Sequence, residues 1–367
     1  MDKFLIWGTG ADALKYGTYW SKMEQNGVGE IVGFVDKDIR KRGQRFWGKV
    51  IYMPDEIASL DFVYLDIWSS KYYKEIYSEA VDRYHISPEK IKDFFFPYKQ
   101  KLKERYEGTN NREIKEFVEA MHSQPGIDVF YYEPAEKKEL WNEVFFDEKA
   151  QMHYLFFEGK RMYLKRGFPF TVEKSGKKYI GNMYAEQDVN SPHRYESDDV
   201  AVEPGDILID AGACEGNFSL HNIDKVKKVY LVECDQDWIE ALHYTFEPYK
   251  DKVVFCQKFL SDKDSEETIR LDTLAGESVN FIKMDIEGEE IRALKGGRRL
   301  LTESEGLKCA VCSYHRHGDE EKIRELLENM GFETVASNGY MLFMGDDDVI
   351  RNPELRHGVI RGRKRCL

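Results

Sequence analysis

The residues best suited to chemistry in this 367-residue chain are carboxylates set at the ends of apolar runs. The segment Gly205-Asp206-Ile207-Leu208-Ile209-Asp210-Ala211-Gly212-Ala213-Cys214-Glu215-Gly216-Asn217-Phe218 reads as a strand, Ile207 to Ala211, entering a glycine-containing loop. Asp210 arrives at the carboxyl end of that strand, the edge where open α/β sheets bind ligands. Glycines at 212 and 216 let the backbone pass close to a bound molecule, and Ala213 and Asn217 stand in the same loop. Further on, the next strand ends in Glu233, an acid placed for both hydroxyls of a ribose. Asp210 and Glu215 would repel a pyrophosphate, so the loop suits a cationic or uncharged nucleoside. S-adenosylmethionine, with its ammonium, sulfonium and ribose diol, meets that requirement. The structural alternative makes Asp210 a helix cap and the glycines turn formers only.

A second acidic stretch is Asn280-Phe281-Ile282-Lys283-Met284-Asp285-Ile286-Glu287-Gly288-Glu289-Glu290. Its strand again delivers an acid, Asp285, to the ligand-facing edge, with Glu287 two residues on. Together with Lys283 these groups can position a substrate, hold a divalent ion or share proton transfer, and no dedicated metal site is assigned. Glu289 and Glu290 read as acids complementing a helix N-terminus. His315 follows the strand Lys308 to Ser313, which places it at the same edge. An imidazole titrates near neutrality, so His315 is the first candidate to take a proton from an acceptor, and His193, in the loop Glu186 to Tyr195, is the second. Cys309-Ala310-Val311-Cys312 has redox or zinc spacing but lies in a buried strand without a second such pair, and reads as core.

The elements that must position these groups alternate along the chain. Residues 200–345 give strands at Ile207 to Ala211, Lys228 to Glu233, Val253 to Gln257, Asn280 to Asp285 and Lys308 to Ser313, closed by the pair Glu333 to Ala336 and Tyr340 to Met344. Helices fall near Phe218 to Asn222, Asp237 to Thr245, Glu289 to Lys295 and Glu320 to Met330. This is a doubly wound α/β sheet with an antiparallel edge hairpin. A smaller Rossmann-like unit precedes it: strand Lys3 to Trp7, the turn Gly8-Thr9-Gly10-Ala11-Asp12-Ala13, a helix from Leu14 to Met23, and a strand Glu30 to Asp36. There Gly8 and Gly10 suit a phosphate and Asp36 a ribose, so a nucleotide or nucleotide-sugar is the candidate ligand, against glycines used only for a tight turn. A helix opened by Pro54, a strand Phe62 to Ile67 and a helix Tyr72 to Tyr84 complete this unit. The expected domains are 1–97, a helical linker with a β-hairpin at 98–183, the second α/β domain at 184–349, and a basic tail at 350–367.

Charge follows the same division. Of 54 basic and 67 acidic residues, 15 and 15 lie in 1–100, 15 and 14 in 101–183, 18 and 37 in 184–349, and 6 and 1 in 350–367. The net charge of −13 argues against a nucleic-acid or anionic-membrane partner. No apolar run is long enough to span a membrane, the opening residues read as a strand and not a signal peptide, and six cysteines are too sparse for a disulfide scaffold. A cytoplasmic protein is expected.

The segments IDAGACEGNFSL (209–220), VYLVECD (229–235), FLSD (259–262) and, above all, FIKMDIEGEEIRALKG (281–296) resemble the FkbM family of S-adenosylmethionine-dependent methyltransferases. The resemblance spans about 200–345. It implies a class I methyltransferase fold and methyl transfer to a hydroxyl oxygen of a sugar, glycan or related metabolite. It further implies Asp210, Gly212 and Gly216 at the methionine end of the cofactor, Glu233 at the ribose, and Ser261 and Asp262 beside the adenine. Cys214 stands where such loops often carry asparagine. Two other classes compete: an oxidoreductase using NAD at Gly8, Gly10 and Asp36, and an inactive nucleotide sensor. The first fails to explain the DIEGE segment and the acidic second loop, and the presence of Asp210, Glu233, Asp285 and His315 together weighs against the second.

Overall fold

The computed structural model describes residues 1–14, 24–25, 27, 29–69, 72–93, 95–123, 126, 129, 131–135, 141–170, 172, 177–179, 181–276, 278–343 and 352–364. The chain divides into two compact units, Met1–Tyr131 with Leu342–Leu355, and Tyr132–Met341 with Arg356–Leu367.

In the first unit, β1 (Asp2–Trp7), β2 (Gly29–Val35), β3 (Arg45–Phe46), β4 (Lys49–Tyr52), β5 (Tyr64–Ile67) and β6 (Ile91–Asp93) form one sheet in the order β3-β4-β2-β1-β5-β6. All neighbours are parallel except β3 and β4. Leu5, Trp7, Val35, Leu65 and Ile67 supply its core, as apolar runs buried on both faces should. The segment opened by Pro54 is a 3-10 turn, Pro54–Ser59, and not an α-helix. The helix expected over Leu14 to Met23 lies outside the described residues apart from Leu14. The unit does not stop at residue 97. Helices Phe96–Tyr106 and Arg112–Ser123 bury Tyr98, Leu102, Phe117 and Met121, and their apolar stripes make them part of this body instead of a linker.

In the second unit, β7 (Trp141–Asn142) pairs with β11 (Lys178–Tyr179), and β8 (Phe145–Asp147), β9 (Met152–Phe157) and β10 (Lys160–Tyr163) make an antiparallel sheet. The expected hairpin is β9–β10, turning at Glu158 and Gly159, both at positive φ. The main sheet comprises β12 (Ile207–Ala211), β13 (Lys228–Val232), β14 (Val253–Cys256), β17 (Phe281–Met284), β18 (Lys308–Cys312), β19 (Phe332–Ala336) and β20 (Val359–Lys364), with the short pair β15 (Phe259–Leu260) and β16 (Thr268–Ile269) outside it. Its order is β14-β13-β12-β17-β18-β20-β19, with β20 antiparallel to both neighbours. This doubly wound sheet closed by an antiparallel pair is the class I methyltransferase fold.

Two details correct the sequence reading. The last strand is Val359–Lys364, not Tyr340 to Met344; of the latter, Met341 makes a single bridge to Arg356. Residues 359–364 of the expected basic tail are therefore a sheet strand. Val359 to Arg361 are buried, and Gly362 fits where a Cβ would approach Cys309 Sγ to 2.9 Å. The core collects Ile209, Ala211, Val232, Ile282, Met284 and Val311 under the helices, leaving the carboxyl ends of β12, β13, β17 and β18 at one edge. Cys309 and Cys312 are free, fully buried thiols of β18.

Candidate active site

A cavity of about 740 Å³ opens at that edge. Gly212 and Gly216 have φ of +75° and +79°, a conformation that favours glycine, but for different ends. A Cβ on Gly212 would lie 1.7 Å from the Asp285 carbonyl oxygen, so this glycine lets the first loop cross the end of β17. A Cβ on Gly216 would meet Leu242 and Phe246 at 2.7 and 2.8 Å, so Gly216 serves the packing of helix Gln236–Thr245.

Asp210 is wholly buried beneath the loop, outside the cavity lining. It accepts a 2.6 Å hydrogen bond from Ser219 Oγ and lies 3.1 Å from Lys283 Nζ. Lys283 also donates to Gly212 O at 2.6 Å. Burial alone would lower its pKa, but Asp210 and Asp285 outweigh burial and raise it. Lys283 is thus a fixed cation that ties the loop to β17.

Ala213, Cys214, Glu215 and Asn217 line the cavity, as Glu233 does. The Glu233 carboxylate accepts from the amides of Cys214 (2.9 Å), Cys234 (2.8 Å) and Asp235 (2.9 Å), which aims it at the cavity. Burial, with Cys214 and Lys283 partly offsetting it, raises the Glu215 pKa. Ser261 and Asp262, expected beside the adenine, stand at the margin of this cavity. Both are engaged by Arg292, at 2.9 and 3.2 Å, and the wall there is Lys258, Phe259 and Leu260.

The far end of the cavity is built around Asp285. Its Oδ2 accepts from Tyr195 Oη at 2.8 Å and lies 3.4 Å from His193 Nε2; its Oδ1 is 3.4 Å from both Tyr314 Oη and His315 Nε2. Burial would raise the Asp285 pKa, but His193, Lys283 and His315 lower it strongly. The two candidate histidines differ in place. His193 lines the cavity; its Nε2 faces Asp285, Tyr314 Oη (3.2 Å) and Cys312 Sγ (3.8 Å), while its buried Nδ1 has no hydrogen-bond partner among the described residues. His315 lies behind Asp285, outside the lining, with Nδ1 3.2 Å from Glu290 Oε1. Glu287, its side chain 86% exposed, reaches to 3.7 Å of His315 and lines the rim. Two side-chain groups have donor atoms close enough to surround one ion: His193, Asp285 and Cys312, and Asp285, Glu290 and His315.

Three contributors were missed. Glu186 lines the cavity; burial above all, with Glu215 and Asp285, pushes its pKa up to about 7 against the pull of His193. The concentration of polar and aromatic residues at 186–195 was the signal for it. Glu290, read as a helix-end acid, is fully buried against His315 and accepts from Ile286 N at 2.9 Å. Arg361, read as a solvated tail residue, donates to the carbonyls of Tyr195 (3.0 Å) and Arg194 (2.6 Å) and so holds the His193 loop.

In the first unit, a Cβ on Gly8 would lie 2.7 Å from the Trp68 carbonyl oxygen, which accounts for that glycine by packing. Gly10 has open space about it. Asp36 is held by Lys41 Nζ at 2.6 Å, by Thr9 Oγ1 and by the Asp38 amide at 2.9 Å. Its own chain therefore occupies the carboxylate proposed for a ribose, and nothing here supports nucleotide-sugar binding. No helix among the described residues is long and apolar enough to cross a membrane.

Residues 231–334 match the family described as Methyltransferase FkbM domain, and residues 1–92 match the family described as C2185-like, N-terminal. Among curated proteins there is no match. Similar solved structures include methyltransferase FkbM from Methylobacillus flagellatus KT, 15% identical, with 99% of this chain and 90% of that chain covered and a TM-score of 0.46. Precorrin-6y C5,15-methyltransferase from Geobacter metallireducens GS-15 is 12% identical over 53% of this chain and 94% of that one, TM-score 0.34. A putative methyltransferase from Streptococcus mutans in complex with SAH is 13% identical over 45% and 91%, TM-score 0.31.

Proposed function

We propose that this chain, whose residues 231–334 carry a Methyltransferase FkbM domain behind a C2185-like N-terminal domain, transfers a methyl group from S-adenosylmethionine to a hydroxyl oxygen of a sugar, glycan or related small metabolite. The observation that carries this reading is the two-ended cavity: an amide-anchored carboxylate, Glu233, at one end and the Asp285–His193 pair at the other.

The residues present fit the donor. Glu233 is aimed where a ribose diol would lie, and Glu215 beside the first loop suits an ammonium and not a pyrophosphate. Bound there, S-adenosylmethionine supplies an electrophilic methyl on a sulfonium. Acceptor activation belongs to His193, the second candidate of the sequence, and not to His315. Of the neighbours of His193 Nε2, the Asp285 carboxylate can only accept its proton, which leaves the Nδ1 lone pair for the proton of the acceptor hydroxyl. Tyr195 and Tyr314 hold the Asp285 carboxylate that orients the ring. Glu186 and Glu287 line the acceptor side.

The test is mass spectrometry of a metabolite extract incubated with the protein and a donor carrying an isotopically labelled methyl. A labelled methyl ether should form, and His193→Gln should lower its rate by roughly 10² to 10⁴. A product labelled on nitrogen or carbon would contradict hydroxyl transfer, and undiminished transfer by the variant would remove His193 from the role.

A further inference from the structure

Four side chains stand in a row in which acid and imidazole alternate. Glu290 Oε1 is 3.2 Å from His315 Nδ1; His315 Nε2 is 3.4 Å from Asp285 Oδ1; Asp285 Oδ2 is 3.4 Å from His193 Nε2. The row starts in the buried interior, with Glu290 fully enclosed and His315 3% exposed, and ends at His193, which lines the cavity and whose buried Nδ1 has no hydrogen-bond partner among the described residues. It draws on four separate parts of the chain: the start of helix Glu290–Gly296, the loop after β18, the end of β17, and the loop at 186–195.

We infer that Glu290, His315 and Asp285 work as one relay that fixes His193 with its proton on Nε2 and its lone pair on Nδ1, making Glu290 and His315 positioning residues and not proton acceptors. The inference rests on the assignment of acceptor activation to His193.

A carboxylate as buried as Glu290 needs a counter-charge, and the nearest basic ring is His315. Burial works against a charged His315 ring, but Glu290, Asp285 and Glu287 together outweigh it, so the ring is held protonated above its ordinary range. Both of its nitrogens then carry protons, one toward each flanking carboxylate, and neither is free to receive another. The Tyr314 ring lies tilted at 35° to the His315 ring with centroids 4.1 Å apart, and among the described residues Arg316 and Asp319 are further charged groups near Glu290. Held on Oδ1 by His315 and Tyr314, Asp285 has Oδ2 left for Tyr195 and His193. A carboxylate fixed in this way selects the tautomer of the imidazole it faces, since only an N–H can be turned toward it. Apart from Cys312, the residues of both groups of ligand-like spacing noted above belong to this row, and the alternation of charge accounts for the closeness of those residues.

The tautomers can be read on the full-length protein without substrate, from the ¹⁵N shifts of labelled histidine assigned through single variants. At pH 7 the protein should show His315 protonated on both nitrogens and His193 protonated on Nε2 alone. In Glu290→Gln, and independently in His315→Gln, the His193 signals should move to values averaged over both tautomers. A neutral His315, a His193 protonated on Nδ1, or His193 signals unchanged in the folded variants would overturn the relay. The conservative Glu290→Gln covers the case in which His315→Gln does not fold. Because no donor or acceptor is added, failure of the relay is separable from failure of methyl transfer, which the labelled-donor experiment reads.

Discussion

At the scale of the residue, the site was legible as a set of side-chain types but not as a set of roles. Asp210, Glu233 and Asp285 each end an apolar strand, and strand ends are what a sequence shows best. Which of two successive residues faces the cavity is decided by a single alternation of side. That alternation puts Tyr314 in the lining and His315 behind it, so the histidine preferred from sequence is the enclosed one. Asp210 was legible as important for a reason that the fold alters, since it neutralises Lys283 beneath the loop. Glu186 gives a prediction at this scale. Its carboxyl is raised to about 7, first by burial and then by Glu215 and Asp285, so the folded protein holds the proton more tightly than the unfolded chain. Its contribution to stability is complete below the ordinary carboxylate range and is lost as pH rises through about 7. Glu186→Gln lacks that loss. Thermal melts should show the variant gaining on the unsubstituted protein between pH 5 and pH 8; parallel melting curves across that range would contradict the assigned burial.

At the scale of the element, the parallel strands were readable because their runs are continuously apolar, as strands covered on both faces must be. The last strand was not. Val-Ile-Arg-Gly-Arg-Lys has only two apolar residues in its six, and a cluster of cations reads as solvated tail. What seats it is local: Gly362 against Cys309 and Phe332, and Arg361 turned under the neighbouring loop. Burial, with Arg194 nearby, pulls the Arg361 pKa down to about 10, which leaves the group charged at neutrality. Just before the strand, Arg356 holds the Tyr314 carbonyl at 2.8 Å, so one return of the chain steadies both loops that frame Asp285. Arg361→Ala should cost about 2–4 kcal/mol through two lost charge-assisted hydrogen bonds. Hydrogen exchange should quicken at residues 191–195 more than at β12 or β17. Uniform quickening would show a general loss of stability and no specific hold on the loop.

At the scale of the whole molecule, the formal charge of −13 resolves into near-neutral stretches before residue 184, a net of −19 over 184–349 and a net of +5 over 350–367. Most of those acids are surface charge, but Glu186, Glu215, Glu233 and Asp285 gather at one cavity whose only lysines are Lys258 and Lys283. Lys283 is already matched to Asp210, so the cavity favours a ligand with positive charge, as a sulfonium and an ammonium provide. The number of units was legible from length and from two strand-loop-strand patterns. Their limits were not, because the first unit takes in two helices that share no pattern with its sheet. The central claim is that the second unit, and not the glycine turn of the first, holds the nucleoside. Titration calorimetry of the full chain tests it most directly. S-adenosylhomocysteine and S-adenosylmethionine should bind and NAD should not, and Glu233→Gln should weaken S-adenosylhomocysteine by at least about tenfold. Binding of NAD with neither adenosyl compound bound, or full affinity in the variant, would contradict the account.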